Sequence, residues 1–236
     1  MSAAGKTSAV VIGASGGIGG AFEAALIEEG VFDVVHGFAR SRTGAQHLDL
    51  LDEASIAVAA ARVAEGPAPS LVIVATGLLH EGDRGPEKSL GDLDPQWLAK
   101  VHAVNAIGPV LVAKHFLPIM PRGGRAVFAA LSARVGSIAD NRLGGWYGYR
   151  ASKAALNMMV RNLAIEEHRR NSRAIVVALH PGTVDTGLSG PFQGNVPPGR
   201  LFDRDRAALQ LLDVIEGLKV TDSGGLFDFE GKEIPF

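Results

Sequence analysis

The chain has 236 residues, 47% of them apolar and 20% charged, with a formal net charge of −2 and no cysteine. That is enough chain for one large α/β domain with a substantial core, and too apolar for a disordered one. The charge gives no case for nucleic acid or an anionic membrane, and the missing cysteines exclude disulfides and thiol catalysis.

In chain order, short apolar runs expected as strands cover residues 8–13, 32–38, 46–49, 70–75, 125–131, 174–179 and 225–228. Helical patterns cover 17–29, 53–64, 95–120, 147–170 and 203–218 between them. Near-continuous apolar strands alternating with helices predict a parallel sheet covered on both faces. The expectation is a single Rossmann-type domain over 1–236, doubly wound, with seven strands. Asp203 is a plausible helix N-cap. The segment 186–202, rich in Gly and Pro, is the one long irregular stretch and is expected to be a substrate loop. The N-terminal apolar run is too short for a signal core, and no stretch reaches the roughly 18 to 20 apolar residues of a membrane span. These absences are the only warrant for expecting a cytoplasmic protein.

Directly after the first strand stands Gly13-x-x-x-Gly17-Ile18-Gly19, opening a helix. Such a turn lets the backbone approach a pyrophosphate, which then sits on the helix N-terminus. After the second strand come Arg40 and Arg42, with no acidic residue between Asp33 and Asp49. An acidic residue here would bind the ribose 2′-OH of NAD, whereas arginine suits the 2′-phosphate of NADP. NADP is therefore the expected cofactor, with NAD less favoured.

Tyr149 and Lys153 lie four apart, on one face of the helix 147–170. A phenol titrates near pH 10, and a neighbouring ammonium stabilises the phenolate, so the pair is a candidate acid/base unit. Tyr147 has Ala151 at the matching position and should point elsewhere. The seven histidines form no metal pattern, and His180 reads as a packed strand-end residue. Trp146 reads equally well as a substrate wall or as packing.

Taken together and in this order, these motifs resemble the short-chain dehydrogenase/reductase family over essentially the whole chain. Gly13-x-x-x-Gly17-x-Gly19 is similar to its cofactor turn, and Ala75-Thr76-Gly77 stands where the family usually has Asn-Ala-Gly. Asn105 matches its helix asparagine, Tyr149-x-x-x-Lys153 its catalytic pair, and Pro181-Gly182-Thr183-Val184-Asp185-Thr186 the segment bordering the nicotinamide. The stretch 131–157 and the ending 228–236 resemble a subgroup of small carbonyl reductases that includes C-factor and sniffer-type proteins. The resemblance implies NADPH-dependent carbonyl reduction, or the reverse alcohol oxidation, on a small organic molecule. Tyr149 would give the proton, Lys153 would tune it and hold the ribose, and Asn105 would organise a proton relay. Implied cofactor contacts are Ser15 and Ile18 at the turn, Asp49 and Leu50 at the adenine, and Val184 and Thr186 near the carboxamide. The family's second helper serine falls on Ala133; Ser132 is the preferred substitute, with Ser137 the alternative. Relatives commonly pair through the two long helices, so a homodimer or homotetramer is implied. A second reading is a dinucleotide-binding signalling or regulatory protein with little turnover.

Overall fold

The computed structural model describes residues 6–195, 197 and 199–236; Val196 and Pro198 of the expected loop, and residues 1–5 of the N-terminal run, lie outside them. The strands are β1 (Ser8–Ile12), β2 (Val34–Phe38), β3 (Pro69–Val74), β4 (Ala126–Leu131), β5 (Ala174–His180), β6 (Thr183–Val184), β7 (Leu201–Phe202) and β8 (Leu226–Asp228). The α-helices are α1 (Gly17–Glu29), α2 (Glu53–Ala64), α3 (Pro95–His102), α4 (Gly108–Phe116), α5 (Tyr147–Arg170) and α6 (Arg204–Gly217). Six strands form one parallel sheet in the order β2-β1-β3-β4-β5-β8, and β6 pairs with β7 separately.

The sheet is apolar on both faces because successive side chains alternate. Val10, Ile12, Val72, Val74, Phe128, Val176 and Ala178 pack with α2, α4 and α5 through Ile56, Val63, Val112, Phe116, Leu156 and Val160. Their neighbours Val11, Ile73, Val127, Ala129, Val177 and Leu179 face α1 and α6 through Phe22, Leu26, Ala208 and Leu211. This is the expected doubly wound Rossmann architecture.

The seventh strand is a correction. Residues 46–49, expected as a strand, make a single parallel bridge, Ala39 to His47. The chain leaving β2 is tied down too tightly to form a ladder. Arg42 turns back onto the Gly37 carbonyl and Glu23, Gly44 takes φ +58, and residues Gly44–Gln46 curl into a 3-10 turn. Beyond the bridge Asp49 caps Leu51 N–H, which ends the extended run.

Helix termini follow sequence chemistry. Asp52 accepts from Ala54 N–H, Asp94 from Trp97 N–H and Asp203 from Arg206 N–H, capping α2, α3 and α6. Of the expected 95–120, residues 95–119 form one continuous helical run, with a π-helical turn at Ala103–Ile107 between α3 and α4 and a closing 3-10 turn at Leu117–Ile119. The strand order reverses direction between β1 and β3, and a crevice opens there at their carboxyl ends.

Candidate active site

Gly13 leaves β1 at φ +92, and Gly13 and Ala14 both donate to the Phe38 carbonyl, at 2.8 and 3.0 Å. A Cβ on Gly13 would stand 2.8 Å from the Ala75 carbonyl oxygen, so only glycine lets the two strand ends meet. A Cβ on Gly19 would run into the Gly13 carbonyl, and one on Gly17 would meet Thr186 Cγ2 at 2.6 Å. Helix α1 begins behind Gly16 with no side-chain cap, so its N-terminus is open to the crevice.

Two cavities adjoin along this crevice. The first, about 360 Å³, is lined by Gly13, Ser15, Arg40, Asp49, Leu50 and the Ala75-Thr76-Gly77 segment. The second, about 280 Å³, is lined by Gly17, Ile18, Ser132, Tyr149, Lys153, Pro181 and Thr186, and shares Gly16, Ala75, Thr76 and Gly77 with the first. Thr76 Oγ1 is buried there without a hydrogen-bond partner among the described residues. A polar group left unpartnered beside a glycine cradle is what a bound dinucleotide would satisfy, so these residues fit one.

The expected site residues separate accordingly. Gly19 and Gly182 act in packing, since a Cβ on Gly182 would meet the Phe202 ring at 2.7 Å. Val184 packs with Phe202 and Ala207. Arg42 is held by Glu23, whose hydrogen bond raises the guanidinium pKa against the opposing effect of burial, and this pairing takes it from a ligand. Arg40 is exposed on the cavity wall. Beside it Ser41 Oγ donates to Ser15 Oγ at 2.8 Å, which joins the β2 end to the glycine turn.

Tyr149 and Lys153 are both buried on α5. Lys153 Nζ donates to the Leu131 carbonyl at 2.8 Å and lies 5.8 Å from the Tyr149 ring centroid. Burial pulls the Lys153 amine down to about 7 and pushes the Tyr149 phenol up to about 12. Removal from water favours the neutral form of each group. Tyr147 is 38% exposed and points away, as expected from its spacing.

Asn105 sits in the π-helical turn, fully buried. Its Oδ1 accepts from Leu78 N–H at 2.7 Å, and its Nδ2 donates to the Leu78 carbonyl at 2.8 Å and to Ser152 Oγ at 3.1 Å. It thus clamps the chain just past Gly77 against α5, one residue from Lys153. Ser132 lines the second cavity, but its hydroxyl donates to Asn157 Oδ1 at 2.7 Å. Ser137 is off the cavity and accepts from Asp140 N–H. Ala133 is the residue packed with Tyr149, together with Leu79, Trp146, Leu188 and Phe192.

The sequence model for enoyl-(acyl carrier protein) reductase matches residues 19–210, most of the chain. The chain belongs to the short-chain dehydrogenase/reductase family. As a member it is an NAD(P)-dependent oxidoreductase. It is 39% identical over 148 residues to C-signal of Myxococcus xanthus, covering 63% of this chain and 84% of that one. It is 28% identical over 226 residues to 1-hydroxy-2-glutathionyl-2-methyl-3-butene dehydrogenase of Rhodococcus, covering 92% and 94%. Among solved structures, the NADPH-bound carbonyl reductase from chicken fatty liver superposes with a TM-score of 0.81 at 26% identity, over 99% of this chain and 100% of that one. Carbonyl reductase Sniffer of D. melanogaster, at 22% identity and a TM-score of 0.80, shares the fold.

Trp146, read from the sequence as a substrate wall or as packing, does stand beside Tyr149, but sequence reasoning missed Phe192, its partner in that aromatic wall. Trp146 packs edge-on to Tyr149 and to Phe192, and His80 both packs on Phe192 and hydrogen-bonds the Gly187 carbonyl at 2.9 Å. Phe192 belongs to the expected 186–202 loop, but no local pattern marks it as a partner of Trp146.

Proposed function

We propose that the chain, working over 1–236 as one unit, reduces the carbonyl of a small uncharged substrate with NADPH. What carries this reading is that Tyr149 and Lys153 line the same cavity as Gly17, Ile18 and Gly77. The bound cofactor would supply the hydride. Arg40, with the Ser15–Ser41 pair beside it, would take the 2′-phosphate by charge-assisted hydrogen bonds. The N-terminus of α1 would hold the pyrophosphate. Pro181 and Thr186 would border the nicotinamide, and Asp49 and Leu50 the adenine.

Tyr149, protonated at neutral pH, donates to the oxygen that becomes basic as the carbonyl is reduced. Lys153 in its charged form lowers the cost of the phenolate that remains. Asn105 holds the Leu78 backbone and, through Ser152, the face of α5 that presents both groups. Ser132 is the helper hydroxyl in this reading, and using it on substrate requires giving up its bond to Asn157. Trp146, Phe192, Leu188 and Leu79 offer no charge, which favours an apolar or aromatic carbonyl compound. Chicken-liver carbonyl reductase, whose structure holds NADPH, supports the cofactor choice. A homodimer belongs to the same reading: Met158 and Ile165, seven apart on one face of α5, are 63% and 49% exposed.

The second reading, a dinucleotide-binding signalling protein, is favoured by two observations. Ala133 stands against Tyr149 where a hydroxyl would help, and C-signal is a relative. Steady-state oxidation of NADPH and of NADH with a panel of ketones and quinones separates the two. Reduction of at least one aromatic ketone or quinone is expected, with NADPH preferred roughly tenfold or more, worth about 1.4 kcal/mol. Tight NADPH binding with no turnover on any compound would favour the binder, and an NADH preference would overturn the cofactor assignment.

A further inference from the structure

Helix α5 carries both Tyr149 and Lys153, yet its N-cap residue is Trp146, which gives no side-chain cap. Trp146 is the one non-glycine residue with positive φ (+49) among the described residues, and it follows Gly144 (+63) and Gly145 (+62). Three consecutive left-handed residues bring the chain abruptly into the helix, and a bulky residue in that region is strained. Something outside the helix must satisfy its first N–H groups and hold the turn.

Glu87 does both. Its main-chain carbonyl accepts from Trp146 N–H at 2.5 Å, and its carboxylate Oε2 accepts from Gly148 N–H at 3.0 Å. The residue is only 2% exposed, and its second oxygen, Oε1, is buried with no hydrogen-bond partner among the described residues. A Cβ on Gly148 would stand 2.8 Å from that Oε1 and 3.0 Å from Leu98 Cδ2. The carboxylate is therefore wedged between α3 and the first turn of α5, with space reserved for it by a glycine. Burying a carboxylate is costly, and a negative charge at a helix N-terminus recovers part of that cost.

We propose that Glu87 is a positioning residue for the catalytic tyrosine, acting as an N-cap supplied from 59 positions before the helix's own cap. One turn further on, Lys153 is fixed to β4 through the Leu131 carbonyl. The dyad is thus tied at both ends, and Glu87 sets the end that carries Tyr149 and the Trp146 ring beside it. The inference rests on Tyr149 being the proton donor. A displacement of about 1 Å at such a donor costs up to roughly 100-fold in rate.

The test compares Glu87→Ala, Glu87→Gln, Gly148→Ala and Tyr149→Phe. For each, kcat and KM are measured with NADPH and phenanthrenequinone, scaled to the fraction of chains that bind NADPH. Glu87→Ala is expected to lower kcat by roughly 10- to 100-fold, with NADPH affinity unchanged within about twofold. Glu87→Gln keeps an acceptor oxygen and is expected to restore kcat to within about threefold. Gly148→Ala, which replaces glycine by a better helix former, should lower kcat as Glu87→Ala does, because its methyl group displaces the carboxylate. It keeps the test open if Glu87→Ala does not fold. An unchanged kcat in Glu87→Ala or Gly148→Ala, or a Glu87→Gln as impaired as Glu87→Ala, would overturn the inference alone, provided Tyr149→Phe is inactive. Full turnover in Tyr149→Phe would overturn the proposed function and this inference together.

Discussion

An amine and a phenol four residues apart were expected to make a tuned acid, and the structure changes how the tuning works. Lys153 is drawn down to about 7 and Tyr149 pushed up to about 12, each by burial. Without a cofactor, the amine at slightly alkaline pH is largely neutral and does little for the phenol. The phosphates of a bound dinucleotide would favour the ammonium and raise the Lys153 pKa, so binding should take up a proton just above pH 7. NADPH affinity should correspondingly fall as pH rises across that interval. In the cofactor-free chain the folded pKa lies below the unfolded one. The stability linked to Lys153 is therefore full above about 10.5 and lost as pH falls through about 7. Calorimetry of NADPH binding at about pH 8, in buffers of different ionisation enthalpy, should show net proton uptake that Lys153→Met abolishes. Proton release would contradict this account. The pair was legible from the motif, but its tuning was not: a nearby ammonium was expected to lower the phenol, and burial raises it. The fate of the serines was legible in part: the resemblance put Ala133 at the helper-serine position, and Ala133 packs with Tyr149, but Ser132's engagement with Asn157 depends on a side chain 25 residues away.

At the scale of elements, the apolar pattern of 95–120 reads as one helix and says nothing of the π-helical turn inside it. That turn changes the direction of Asn105, which then closes three hydrogen bonds with Leu78 and Ser152. Such insertions cluster at functional positions because they re-aim a side chain without breaking the helix. Asn105→Ala would leave both backbone groups of Leu78 without their partner. The expected loss is about 2 kcal/mol or more of unfolding free energy, read by urea denaturation without cofactor. An unchanged midpoint would show that the clamp contributes nothing. The ranges of α1, α2 and α5 matched their sequence patterns because caps, glycines and periodicity agree there. The third strand did not: its apolar residue Leu48 is buried in the core with Phe38 and Ile56, while the chain there makes only a single bridge to Ala39.

Over the whole molecule, the parallel order β2-β1-β3-β4-β5-β8 carries residues 13–19, 75–77, 132, 149–153 and 181–186 to one rim of the sheet. That convergence was legible because each motif falls at the carboxyl end of a strand or the start of a helix, where α/β folds place ligands. The contacts that finish the site were not legible. Glu87 meets Gly148 across 61 positions and His80 meets Gly187 across 107, and neither pair leaves a spacing pattern in the sequence. The central claim is that the rim works as one reaction centre, with Tyr149 giving the proton. Single-turnover oxidation of bound NADPH by phenanthrenequinone, in the native chain and in Tyr149→Phe, tests it most directly. The account predicts a rate lower by roughly 100- to 10,000-fold in the variant, with NADPH affinity within about twofold of the native value. An unchanged single-turnover rate in Tyr149→Phe would contradict it.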